Sequence, residues 1–147
     1  MKGKIILAVL TLAYSLPSVA NENRLSDTTT VNYLLEKSKQ LIGNDPEQAI
    51  AYSTVAKRIS DEIHFPKGAA LALKNKGIVY YTQSKYTEAI SYWTQSIEIF
   101  KSISDFVGIS NILSNIGVVY HNQGDYEKAL QNHLSSLKFA EQSGDKL

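Results

Sequence analysis

Apolar side chains recur along this chain at steps of three and four, not two. Ala70, Leu73, Gly77, Tyr80 and Tyr81 fall on one stripe; a polar break, "TQSK", follows; then Tyr86, Ala89, Ile90, Trp93, Ile97 and Phe100 make a second stripe. That is the period of an amphipathic helix, and the stripes outlast ordinary strands. Further on, Leu113, Ile116, Gly117 and Tyr120 precede the break "NQGD", and Tyr126, Ala129, Leu130, Leu134 and Leu137 follow it. The pattern predicts helices in pairs, separated by short polar turns. The earliest break reads "GNDPEQ". There Asp45 is placed to cap a helix, Pro46 suits its first turn, and Gln48 completes a capping-box spacing. Asp125 is expected to cap in the same way.

The stripes also repeat. Gly77 and Gly117, Tyr80 and Tyr120, Tyr86 and Tyr126, and Ala89 and Ala129 are each 40 positions apart, as are Gly68 and Gly108. Ala49 and Ile50 carry the period back to a first unit. Three units result, at about 30–69, 70–109 and 110–147. Glycine inside a helix costs about 1 kcal/mol against alanine. Gly77 and Gly117 are therefore expected where a neighbouring helix comes close. Ala49, Ala89 and Ala129 would face that contact, and Tyr80, Tyr86, Tyr120 and Tyr126 would fill the space around it. A single helical hairpin cannot bury its own stripe, whereas stacked hairpins can, and they curve into a solenoid with a concave face. The expected fold class is all-α, a right-handed superhelical array of antiparallel helix hairpins.

The first twenty residues follow a different pattern. "MKGK" is a short basic stretch, "IILAVLTLAYSL" an apolar run too short to span a bilayer comfortably, and "PSVA" a break with small residues at Ser18 and Ala20. This is the layout of a secretory signal cleaved after Ala20, followed by a linker at 21–29. The expected location is exported, periplasmic or otherwise extracytoplasmic, with the membrane involved only through this segment or one beyond residue 147. Composition changes little else. The 147 residues carry 15 basic and 14 acidic side chains. Losing Lys2 and Lys4 with the signal leaves 13 against 14, a formal −1. Such a balance gives no electrostatic case for nucleic acid. Cysteine is absent, which excludes disulfides, thiolate catalysis and thiolate metal sites.

Recognisable catalytic chemistry is missing from the text. There is no phosphate-cradling glycine loop, no H-E-x-x-H and no G-x-S-x-G. His64, His121 and His133 have no carboxylate at an obvious ligand spacing, and His133 occupies a position usually filled by a large core residue. The acids fall mostly at caps and outer faces. No enzyme, metal or cofactor is expected of this stretch.

The units resemble tetratricopeptide repeats. The pattern W-x2-L-G-x2-Y…A-x3-F…P maps onto Leu73, Lys76, Gly77, Tyr80, Ala89 and Trp93, and again onto Leu113, Ile116, Gly117, Tyr120, Ala129 and His133. The first unit is degenerate: Tyr33 and Ala49 fit, but Lys37 replaces the glycine and Gln40 the tyrosine. The closing proline is replaced by Lys101 and Glu141, so the helices are expected to run longer than in 34-residue repeats. Forty-residue units with "SD…G" or "GD" between them are similar to those of kinesin light chains, of the Leu-Gly-Asn repeat regulators of G-protein signalling and of bacterial response-regulator phosphatases. "EQSGDKL" matches the phase of "KSISDFV", residues 101–107, and would open a further helix, which suggests an array truncated at its C-terminal end.

The resemblance implies that the first helix of each hairpin lines a peptide-binding groove. It places Leu71, Lys74, Asn75, Ile78, Tyr81 and Thr82 there in the second unit, and Asn111, Ser114, Asn115, Val118, His121 and Asn122 in the third. In the first unit it implies an apolar wall of Val31, Leu34, Leu35, Ser38 and Leu41. Asn75 and Asn115 share one phase. Their amides either hold the backbone of a bound peptide or bond neighbouring helices and water. Lys74, Tyr81 and His121 would add charge, stacking and a pH-sensitive contact. The implied function is a non-enzymatic module for a protein or peptide ligand, the sensory or scaffolding part of a larger signalling protein. A free periplasmic adaptor, or the regulatory region of an enzyme whose catalytic domain follows residue 147, are the alternatives.

Overall fold

The computed structural model describes residues 27–144. The expected signal segment at 1–20, most of the expected linker at 21–29 and the last three residues lie outside them. Six helices follow one another: α1 Thr28–Leu41, α2 Pro46–Glu62, α3 Pro66–Thr82, α4 Tyr86–Ser102, α5 Phe106–Asn122 and α6 Tyr126–Ser143. They pack as consecutive hairpins, α1 with α2, α3 with α4 and α5 with α6, and each hairpin leans on the next. The all-α hairpin array expected from the pattern is the one observed.

The period has a simple origin. Helices α2 to α5 are each 17 residues long. Turns of three residues follow them, at 63–65, 83–85, 103–105 and 123–125. Two helices and two turns make 40. Every turn is built alike. Its middle residue takes a left-handed backbone: His64, Ser84, Ser104 and Gly124, with φ of 55, 59, 55 and 79°. Its third residue donates its N–H back across the helix end. Phe65 bonds the Ser60 carbonyl at 2.7 Å, and Lys85, Asp105 and Asp125 bond those of Tyr80, Phe100 and Tyr120 at 2.9 Å each. This Schellman closure satisfies carbonyls that the helix leaves unpaired. The same third residue is the N-cap of the next helix, and where it is aspartate its side chain completes the cap, which Phe65 and Lys85 do not. Asp105 accepts from the Gly108 amide at 2.8 Å and Asp125 from that of Lys128 at 3.1 Å. Asp45 caps α2 as expected, accepting from the Gln48 amide at 2.9 Å. The Gln48 side chain departs from the capping box: it donates to the same carboxylate at 2.8 Å. Asp27 caps α1 through the Thr30 amide at 2.8 Å, so residues 27–29 form the start of the first helix.

Gly77 stands where the facing helix α4 comes close, as expected, and the group that arrives there is a side chain: a Cβ would collide with the indole of Trp93. The glycine clears a slot for the buried ring, whose Nε1–H donates to the Lys74 carbonyl at 3.1 Å. Gly117 faces the His133 ring in the same way, with a Cβ only 2.7 Å from Cε1. Unlike Trp93, His133 remains exposed although it faces Gly117. Serine hydroxyls fasten the hairpins internally: Ser96 to the Ala70 carbonyl at 2.7 Å and, 40 residues on, Ser136 to the Ser110 carbonyl at 2.8 Å.

The joints between hairpins differ. At the first, Val31, Leu35, Ala56, Ile59 and Ala72 form a small core, and α1 touches α3 directly as well as α2. At the second, Trp93, Ile97, Phe100, Ile109, Ile112 and Ile116 form a bulkier one, in which α5 leans on α4 and makes no comparable contact with α3. Four apolar side chains do not reach any core. Tyr126, Leu130, Leu134 and Leu137, expected on a buried stripe, are 67, 60, 56 and 40% exposed along α6. No hairpin among the described residues covers that face.

Candidate functional site

The three first helices, α1, α3 and α5, share one face of the array. Positions of equal phase become more open from one end of it to the other. Val31 is buried, Leu71 half-buried and Asn111 exposed; Ser38 is buried, Ile78 half-buried and Val118 exposed. Residues of this phase are covered by the following hairpin, as Val31 is by Gly68 and Ala72. Small side chains let α3 close onto α1, bulkier ones keep α5 further from α3, and no hairpin among the described residues follows α5 and α6. The apolar wall expected of the first unit is therefore core at Val31, Leu35 and Ser38, with the Ser38 and Ser53 hydroxyls hydrogen-bonded at 2.7 Å.

Asn75 shows the same closure. It is buried, and its Nδ2 donates to the Leu35 carbonyl at 3.1 Å, 40 residues away on α1. Of the two roles open to this amide, the bond to a neighbouring helix is the one formed. Asn115, half-buried at the equivalent place, makes no such bond to α3 among the described residues. The two asparagines share a phase and differ in environment.

What remains open is the space between α3 and α5. Lys74, Ile78 and Tyr81 belong to α3, and Asn111, Ser114, Asn115, Val118, His121 and Asn122 to α5, of which Asn122 makes contact with α3. Both ends are tied. Asn122 Nδ2 donates to the Tyr81 hydroxyl at 3.2 Å, where the two helices finish. Lys67 Nζ meets Asp105 Oδ2 at 3.0 Å, where they begin. Tyr81 is set by ring contacts with Tyr86 and Trp93, centroids 5.8 and 6.0 Å apart, and the exposed His121 lies edge-on to Tyr126 at 5.5 Å. Thr82 bonds the Val79 carbonyl at 2.8 Å and so turns back onto its own helix.

The charge balance of this cleft is uneven. Burial holds the Lys74 ammonium below the usual lysine value, nearby Lys39 pushes it the same way, and Asp105 opposes only in part. Burial pushes Asp105 up, yet the Gly108 amide, Lys67 and Lys74 together outweigh it and hold its carboxyl below the ordinary value. Asp105 is thus already engaged by a cap and by the ion pair with Lys67, and Lys74 has no ion-pair partner among the described residues. Lys39 had no repeat signal to reveal it, since Val79 and Val119 occupy its phase. An open recess of about 490 Å³ adjoins the Lys67 end, lined by Lys67, Ile103, Asp105, Phe106 and Gln142 among others. Among the described residues no group of His, Asp and Glu gathers to hold a metal, and no helix is long and apolar enough to cross a membrane.

Comparison with known proteins agrees with the geometry. Residues 110–143, the third hairpin, match the family model of the tetratricopeptide repeat. The array is similar to the crystal structure of the TPR domain of Arabidopsis FLU, at 26% identity and a TM-score of 0.67, over 76% of this chain and 95% of that one. No curated protein sequence matches the chain. The architecture is a TPR-like array of three hairpins, and such domains generally bind proteins or peptides.

Proposed function

We propose that this chain is a binding module that holds a protein or peptide segment along the cleft between α3 and α5, without catalysing a reaction. The observation that carries the reading is the half-buried ammonium of Lys74, on α3, beside a cleft tied at both ends by Asn122–Tyr81 and Lys67–Asp105, which favours a segment carrying a carboxylate at that point. Ile78 and Val118 offer apolar contact, and Asn115 offers an amide to the segment's backbone. Asn75 is engaged elsewhere and drops out of the ligand set. The N-terminal text supports export, which makes the module the extracytoplasmic sensory or scaffolding part of a larger signalling protein.

An array of immobilised peptides, graded from acidic to basic, tests the ligand chemistry. Acidic peptides should be retained by the native chain, and Lys74→Glu should abolish or reverse that preference with an unchanged helical spectrum. Indifference to peptide charge, or an unaltered preference in the variant, sinks the reading. Export is read separately, by N-terminal sequencing of the chain recovered from the envelope fraction, where Asn21 should come first.

A further inference from the structure

The α6 stripe points to an interaction that the cleft does not explain. Seven large apolar residues are exposed among the described ones, and four of them, Tyr126, Leu130, Leu134 and Leu137, lie along this one helix. Spacings of four, four and three put them on a single face. The residues 40 and 80 positions before Leu134 are Thr94 and Thr54. Both are exposed, and both turn their hydroxyls back to a carbonyl of their own helix, Ile90 at 2.8 Å and Ile50 at 2.7 Å. Thr94 stays exposed although the third hairpin is stacked against α4. A further hairpin stacked on α6 in the same manner would cover Tyr126, Leu130 and Leu137, whose counterparts Tyr86, Ile90 and Ile97 are packed against the core, but it would leave Leu134 in water. Leucine at this place therefore answers to a different kind of cover.

We infer that the cover is a second copy of this chain, joined through antiparallel packing of the two α6 helices about a two-fold axis. Such an axis makes each surface its own partner, so one apolar stripe suffices for both sides. With Leu130 set against Leu134 of the second copy, Glu127 comes beside Lys138 of that copy, and the reciprocal pair forms at the other end. Glu127 and Lys138 lie on the same flank of the stripe, as that symmetry requires. Both are exposed; Glu127 accepts only from Gln131 at 3.3 Å within its own chain, and Lys138 has no ion-pair partner among the described residues. Head-to-tail stacking lacks this match, because the exposed side of α1 offers mostly polar residues, Asn32, Glu36, Lys39 and Gln40.

Light scattering of the purified 147-residue chain over a concentration series tests the inference. The mass should rise toward twice that of one chain. Leu134→Glu should leave a monomer with an unchanged helical spectrum, whose melting temperature, unlike that of the native chain, no longer rises with protein concentration. Glu127→Lys should weaken association about tenfold through like charge, and adding Lys138→Glu to it should restore the native value. A chain that stays monomeric overturns the proposal. So does a dimer indifferent to Leu134→Glu, or a paired charge reversal that fails to rescue. A monomer whose α6 amides exchange slowly, with the stripe covered by the chain's own outer segments, overturns it equally.

Discussion

The two joints of the array use one backbone plan and opposite means. At the first, Gly68 sits over Ser60, and a Cβ there would lie 2.5 Å from the serine oxygen and 2.8 Å from Val31. At the second, Gly108 sits over Phe100, and a Cβ would meet its ring at 2.7 Å. Ala69 and Ala72 of the first joint become Ile109 and Ile112 of the second. One joint is stabilised by nearness, small residues and a buried polar tie, Asn75 to Leu35. The other is stabilised by volume, and its polar tie, Lys67 to Asp105, is moved to the rim. The difference positions the candidate site: the close joint shuts the first-helix face, and the bulky joint opens it.

The contrast breaks most severely at Phe100. Its side chain is almost fully buried, so Phe100→Ala removes the volume on which the second joint depends and should cost about 3–5 kcal/mol in urea unfolding. Ser60→Ala, at the equivalent place in the first joint, deletes one hydroxyl bonded to the Ala56 carbonyl at 2.7 Å and should cost only about 1 kcal/mol. Similar losses from both would mean that the two joints are energetically alike. The glycine slots give the next largest separation. Trp93 is buried and cannot yield, so Gly77→Ala should cost roughly 1–3 kcal/mol by overpacking. His133 is exposed and can swing away, so Gly117→Ala should be neutral, or stabilising by up to about 1 kcal/mol through helix propensity. Paired melting curves decide this, and equal destabilisation would show the His133 ring to be as fixed as the indole.

How much of this could be read from residues alone follows the same division. The 40-residue period, the hairpins and the caps at Asp45 and Asp125 were legible because each rests on local spacing. The turns were only partly legible. Gly124 announces a left-handed residue, while His64, Ser84 and Ser104 take the same backbone at a cost of about 1 kcal/mol each and give no sign of it. Gly77 was legible as a clearance but not as a slot for Trp93, since a period does not say which residue of the facing helix arrives there. Asn75 and Asn115 were indistinguishable because phase fixes direction around a helix, and not the distance to the next one. The α6 stripe looked like core because its pattern is that of α4; only the structure shows that nothing described here lies on it.

Those asparagines carry the third separation. Asn75→Ala leaves the Leu35 carbonyl without its buried donor and should cost about 1–3 kcal/mol. Asn115→Ala should change stability by less than about 0.5 kcal/mol and act on peptide binding instead. Chemical denaturation alongside a binding titration checks both. A stability loss at Asn115 as large as that at Asn75 would close the second joint and remove the cleft.

The smallest effect is the most diagnostic of where the second joint keeps its polar tie. Asp105→Asn preserves a competent cap but removes the charge facing Lys67, whose side chain is 57% exposed. At neutral pH the loss should be about 0.5 kcal/mol, as for an exposed ion pair. Its pH dependence has a definite sign. The Asp105 carboxyl is held below its ordinary 3.8, so its contribution is full above that value and fades as pH falls through the lowered folded-state value. Native chain and variant should therefore converge in stability on acidification below about pH 3.8. A gap that persists in acid would mean that Asp105 acts through its shape and cap alone, and that volume by itself holds the third hairpin to the second.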